Sequence, residues 1–95
     1  MLSAAVLSAL LATAARADPP DHDAVRRAVA NGEIRPLTEI LEQVRDRLPG
    51  EIVGVEIEQK HGRWLYEFRA LDRGGRLFDV YVNGRSGEIE RIKEK

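Results

Sequence analysis

The spacing of apolar residues changes twice along this chain of 95 residues. From Leu2 to Ala15 nearly every residue is apolar or small, with no charge before Arg16. From Ala24 to Leu48 the apolar residues recur at helical spacing. From Val53 onward they alternate with polar ones, the period of half-buried strands. Three regimes in this order predict a leader, a helical segment and a sheet.

The helical segment divides in two. Ala24, Val25, Ala28 and Val29 form one short face, with Arg26 and Arg27 opposite. Asp21 and Asp23 are both suited to cap its start, because a carboxylate accepts from the free N–H groups of a first turn. Asn31-Gly32 ends it, with Gly32 placed where a left-handed residue follows a helix. Pro36 then fits the first position of a second helix. Leu37, Ile40, Leu41, Val44 and Leu48 follow at i, i+3, i+4, i+7 and i+11, the strongest amphipathic stripe in the chain. Pro49-Gly50 stops the helix and turns the chain.

Four strands are expected after this, joined by short turns. Val53, Val55 and Ile57 share one face of the first. Lys60-His61-Gly62-Arg63 is a turn. Trp64, Tyr66, Phe68 and Ala70 alternate in the second strand, and Asp72-Arg73-Gly74-Gly75 turns again. The third strand runs from Leu77 to Val82 with Phe78, Val80 and Val82 inward. The fourth is expected from about Glu88 to Ile92, with Ile89 inward. The fold class that follows is α+β, with two N-terminal helices packed on one face of a four-stranded antiparallel sheet (α-α-β-β-β-β). Parity puts Trp64 on the core side. Leu65, Arg69, Leu71, Leu77, Asp79 and Tyr81 fall on the opposite face, together with Glu56, Glu58 and Glu67. An apolar cluster there suggests binding, so Leu65, Arg69, Leu71, Leu77, Asp79 and Tyr81 are the candidate partner-binding residues. Binding could use that face or an exposed strand edge, and weak self-association is left open.

Composition narrows the classes. Apolar residues make up 43% and charged residues 33% of the chain, as in a soluble globular domain. The net charge of −1 argues against nucleic acid, whose binders carry a basic surplus. The chain contains no cysteine, which excludes disulfides, thiolate metal sites and a lipidated cysteine anchor. The first apolar run is too short for a membrane span, which needs about 20 apolar residues. It fits the apolar core of a signal peptide closed by the small-x-small site Ala15-Arg16-Ala17. No Lys or Arg precedes that run, which leaves room for a start further upstream. The expected division is a signal peptide at 1–17, a polar lead and short first helix at 18–33, and the main domain at 34–95. No stable membrane anchor is expected after cleavage.

Little in the expected mature chain supports catalysis. It holds Ser86, Thr38, His22 and His61. Ser86 lies in a turn, where a hydroxyl serves the local backbone. Asp21-His22-Asp23 invites a metal reading, but three such residues in a lead segment read better as a helix cap. His61 reads as an exposed turn residue. The expectation is a protein that is not an enzyme and holds no metal or cofactor.

The order helix, helix, Pro49-Gly50, Tyr66-Glu67-Phe68 and Val82-Asn83-Gly84-Arg85-Ser86-Gly87-Glu88-Ile89 resembles the PepSY family over residues 34–91. That family closes with a Val-Asp-x-x-Thr-Gly-x-Val pattern, so Asn83 and Ser86 are conservative departures. The resemblance implies a layout similar to β-lactamase-inhibitor-protein domains and brings no catalytic residues. It also implies a periplasmic or secreted protein-binding module that regulates or inhibits a peptidase or another envelope protein. The alternative is a periplasmic sensor or ligand-binding module associated with a signalling system. The resemblance favours a longer loop closed by Gly87, whereas Asn83-Gly84 alone suggests a two-residue turn.

Overall fold

The computed structural model describes residues 21–95, so the expected leader lies outside the described residues. Helix α1 spans His22–Ala30, and Asp21 caps it by accepting from the Ala24 N–H at 2.7 Å. Helix α2 spans Leu37–Val44 and tightens into a 3-10 turn at Arg45–Arg47. Pro36 is the cap of α2 rather than its first residue, and its carbonyl accepts from the N–H groups of Glu39 and Ile40. Strands β1 (Glu51–Lys60), β2 (Arg63–Leu71), β3 (Leu77–Asn83) and β4 (Ile89–Glu94) follow. They pair antiparallel in sequence order, which leaves β1 and β4 as the edges.

The helices cover one face of this sheet, as expected. Ala28, Ile34, Ile40 and Val44 meet Trp64, Tyr66, Phe68, Val80 and Val82 in one buried cluster, with Ile57 and Ile89 packed against it. Tyr66 and Phe68, two residues apart on β2, stack with ring centroids 6.0 Å apart. Trp64 belongs to this core, as strand parity requires. Leu37 falls at the rim of the α2 stripe and is 36% exposed.

The linker between the helices is stitched to one end of the sheet. Arg35 donates its N–H to the Gly84 carbonyl, and Gly84 donates to the Trp64 carbonyl, both at 2.8 Å. The Tyr66 hydroxyl donates to the Arg35 carbonyl at 2.8 Å. Arg35 and Gln43 both donate to the Ser86 carbonyl at 3.1 Å, tying α2 to the β3–β4 loop.

Two strand irregularities and one strand end differ from the sequence reading. A bulge between Ile52 and Gly54 places Ile52, rather than Val53, opposite Ala70. Val53 is the extra residue of that bulge and is 56% exposed, so it leaves the expected core face. A second irregularity lies between Tyr81 and Val82, and β4 runs to Glu94 rather than ending at Ile92. The β3–β4 connection is the longer loop. Gly87 donates to the Asn83 carbonyl, Asn83 donates to the Glu88 carbonyl, and Gly87 sits at φ +78°. Ile89 pairs with Val82 and stays on the core side.

The departure at Asn83 has a structural cause. Its Oδ1 accepts from the N–H groups of Arg85 and Ser86, as an aspartate would. Its Nδ2 donates to Glu90 Oε2 at 2.9 Å, which an aspartate cannot do. Arg63 completes the group with two bonds to Glu90, at 2.8 and 3.1 Å. Asn83→Asp is expected to lose that donor and to set carboxylate against carboxylate, costing about 1 kcal/mol at this partly exposed site. Glu90→Gln restores a complementary pair, so a double-mutant cycle read by urea denaturation should show positive coupling between the two substitutions.

Candidate functional site

The face of the sheet turned away from the helices is built in cross-strand rows. The His61-Gly62 turn has both residues at positive φ, +51° and +76°, the geometry of a two-residue hairpin turn. That turn fixes the β1–β2 register, and Glu56 falls opposite Glu67 and Glu58 opposite Leu65. Continuing outward, Glu67 faces Tyr81 and Tyr81 faces Arg91. The neighbouring row sets Arg69 opposite Asp79, and Asp79 opposite Lys93. Leu71 and Leu77 pair at one end, and Leu65 pairs with Asn83 at the other. The register therefore brings the six candidate partner-binding residues onto one face.

Their accessibility differs. Leu71 is 40% exposed, and Arg69, Leu77 and Tyr81 are half-buried. Leu65 and Asp79 are buried, although neither described helix packs on them. Long neighbours form the cover. Arg69 Nη2 binds Glu56 Oε2 at 3.1 Å while its Nε lies 4.0 Å from Asp79 Oδ1. Lys95 Nζ reaches Asp79 Oδ2 at 3.5 Å, and the Arg91 guanidinium stands 5.7 Å over the Tyr81 ring.

Sequence reading passed over the acid cluster on this face. Glu56, Glu58 and Glu67 each bring one carboxylate oxygen to within 4.8 Å of the others. Like charges set directly across a sheet are destabilising. Glu67 is only 8% exposed, and no cation of the described residues pairs with it. Its carboxyl is pushed up to about 7, first by burial, then by a hydrogen bond with Glu58 and by the charges of Asp79, Glu58 and Glu56. Tyr81 beside it is raised too, by burial and then by the Glu67 charge. The signal for the cluster was present in the alternation of Glu56 and Glu58, once the two-residue turn had set the register.

A measurable consequence follows for stability. Above the carboxylate range the unfolded chain carries an ionised Glu67, while the folded protein holds its proton up to about pH 7. The folded state then binds more protons, so stability falls as pH rises through that window. Glu67→Gln is expected to flatten this segment of the profile and to raise the melting temperature at pH 8. Thermal melts between pH 4.5 and 8 in the presence of a chelator check it. An unchanged slope in the variant would contradict the assignment.

The other sequence candidates are structural. Ser86 Oγ accepts from the Glu88 N–H at 3.1 Å, a local turn bond. His61 occupies the hairpin turn, and Asp21 serves as the α1 cap. Shallow hollows of about 770 and 420 Å³ lie at the ends of the sheet, the first around Gly50, Leu71 and Arg76, the second around Glu33, Trp64 and Arg85.

Two helices on one side of a meander sheet, with an open polar and apolar face on the other, define a small α+β module of the kind that presents a surface. A family model described as the peptidase propeptide and YPEB domain, PepSY, matches residues 36–93. That is more than half of the chain, and the chain belongs to the PepSY family. Domains of this family are propeptide- or inhibitor-type modules that bind peptidases or other proteins and are typically extracellular or periplasmic. Neither curated proteins nor solved structures gave a match. Among the described residues no helix is long and apolar enough to cross a membrane.

Proposed function

We propose that this chain is an exported protein-binding module, periplasmic or secreted, that regulates or inhibits a peptidase or another envelope protein through the open face of its sheet. Residues 1–17 act as the signal peptide in this reading, 18–33 hold the lead and first helix, and 34–95 form the binding domain. The observation that carries the reading is the register, which gathers Arg69, Leu71, Leu77 and Tyr81 on the face that the described helices leave uncovered. Leu65 and Asp79 lie on the same face and are buried. Half-buried aromatic and Arg side chains beside an exposed Leu are the residue types that dominate binding hot spots.

The test is capture from an envelope extract by the wild-type protein and by a Leu71→Arg/Tyr81→Arg variant. Both positions are on the open face and outside the core, so the variant should melt within a few degrees of wild type. A peptidase or envelope protein retained by wild type and lost from the variant is the expected result. Equal retention by both would place binding elsewhere on the surface.

A further inference from the structure

We propose that copies of this chain join head to tail, edge strand β1 of one copy pairing antiparallel with edge strand β4 of the next, so that the sheet continues from chain to chain. The topology allows it. In a four-stranded meander β4 runs opposite to β1. A second copy set beside β4 in the same orientation therefore presents its β1 antiparallel and keeps its helices on the same side of the sheet. Both edges carry backbone groups with no strand partner among the described residues, and such rows are templates for pairing.

Charge selects a second copy as the occupant. On the open face β1 carries Glu56 and Glu58, opposite Glu67 and Leu65, and β4 carries Arg91 and Lys93, opposite Tyr81 and Asp79. Among the described residues Glu58 has no cation within ion-pair distance, and Arg91 and Lys93 have no carboxylate. Pairing β1 with β1 about Ile57 would set Glu56 against Glu58. Pairing β4 with β4 about Ile92 would set Arg91 against Lys93. Like charges directly opposite are destabilising, so both symmetric joints are disfavoured and the β1-to-β4 joint is selected. Apolar surface matches as well. Val55 and Ile92 lie on the helix side, in rows with Phe68 and Val80, yet both are exposed at their edges.

Backbone directions single out a register. The two-residue turn makes Lys60 and Arg63 a hydrogen-bonded pair, and such pairs alternate along an antiparallel ladder. Glu58 and Glu56 therefore direct their N–H and C=O groups at β2, while Ile57 and Val55 direct theirs outward. Lys95 donates to the Leu77 carbonyl. Lys93 and Arg91 accordingly face β3 with their backbone groups, and Ile92 and Glu94 face outward. Ile57 set opposite Ile92 exchanges both backbone bonds with it. The same register puts Glu56 opposite Lys93 and Glu58 opposite Arg91. A two-residue slip one way leaves Glu58 without a base opposite, and the other way sets Ile57 against Glu94. Irregularities at Ile52–Gly54 and at the start of β4 flank this stretch and keep the joint short. A joint of that size belongs to the weak class of interfaces. Being head to tail, it repeats along a row of copies. It uses the edges alone and stands whether or not a partner seats on Leu71 and Tyr81.

The test is sedimentation velocity of the purified chain across a concentration series at low ionic strength. The average mass of wild type should rise with concentration and fall when salt screens the charge pairs. Glu58→Lys and Arg91→Glu each set like charges across the joint and should weaken association at least tenfold. Both positions are on edge strands outside the core, and thermal melts should show both variants folded. A one-to-one mixture of the two variants restores opposite charges across every mixed joint and should associate as wild type does. Amide exchange followed by NMR gives a second readout. The Ile57 and Ile92 amides should gain protection as concentration rises, while those of Glu56 and Arg91, already bonded within the sheet, should change little. A wild-type chain that stays monomeric up to about 1 mM, a binding free energy of only about −4 kcal/mol, would overturn the proposal. So would single variants that associate as wild type does, or a mixture no more associated than its two components.

Discussion

Phe68→Ala is expected to leave a large fraction of the protein unfolded at room temperature. Phe68 is fully buried at the middle of β2, between Val55 on β1 and Val80 on β3, and it stacks on Tyr66. Truncating a buried Phe costs about 3–5 kcal/mol, the lost transfer energy plus the cavity that remains. A domain of this size has a total stability of about 0.05–0.15 kcal/mol per residue. The substitution thus removes most of what holds the fold together, and no disulfide compensates. Urea denaturation followed by far-ultraviolet circular dichroism should show the midpoint collapsing toward zero denaturant. Phe68→Leu retains most of the volume and should cost less than half as much.

Gly50→Ala should be the most damaging single-methyl addition in the chain. A Cβ at Gly50 would press on the Leu71 carbonyl group and come within 2.8 Å of Asp72 Cα. These are backbone atoms at the end of β2, which cannot rotate aside as a side chain would. The cost expected for overpacking of this kind is about 1–3 kcal/mol. At about 4–8 °C per kcal/mol for a domain this small, a clear drop in melting temperature follows. Gly74→Ala is the control, since its Cβ would meet only Asp72 Oδ1 at an ordinary 3.5 Å. Equal melting temperatures for the two variants would show that the close approach at Gly50 is not rigid.

The same glycine shows what the sequence could and could not convey. Pro49-Gly50 reads correctly as the end of the second helix, because that depends on neighbours in the chain. The reason Gly50 must be glycine lies at Leu71 and Asp72, and a contact across twenty positions leaves no local trace. The α2 stripe, the four strands and the inward side of Trp64 were legible because burial follows period. Val53 was misplaced because a bulge shifts the face of a strand without changing its alternation. The open face was legible as a list of residues. Its energetics were not, because it takes the register to reveal that Glu56 opposes Glu67 and that Asp79 and Leu65 are buried under neighbouring side chains. Asn83 is a subtler instance. Against the expected Asp it reads as conservative, and only its bond to Glu90 shows why the amide is needed.

The most direct test of the central claim is site-specific photo-cross-linking in cells that express the full chain. A photoreactive residue is placed at Leu71 or Tyr81 on the open face, or at Arg27 on the outer side of α1. Cross-links to a peptidase or another envelope protein from positions 71 and 81, with little product from position 27, are the predicted result. Products from position 27 alone, or from all three positions equally, would contradict a partner seated on the open face.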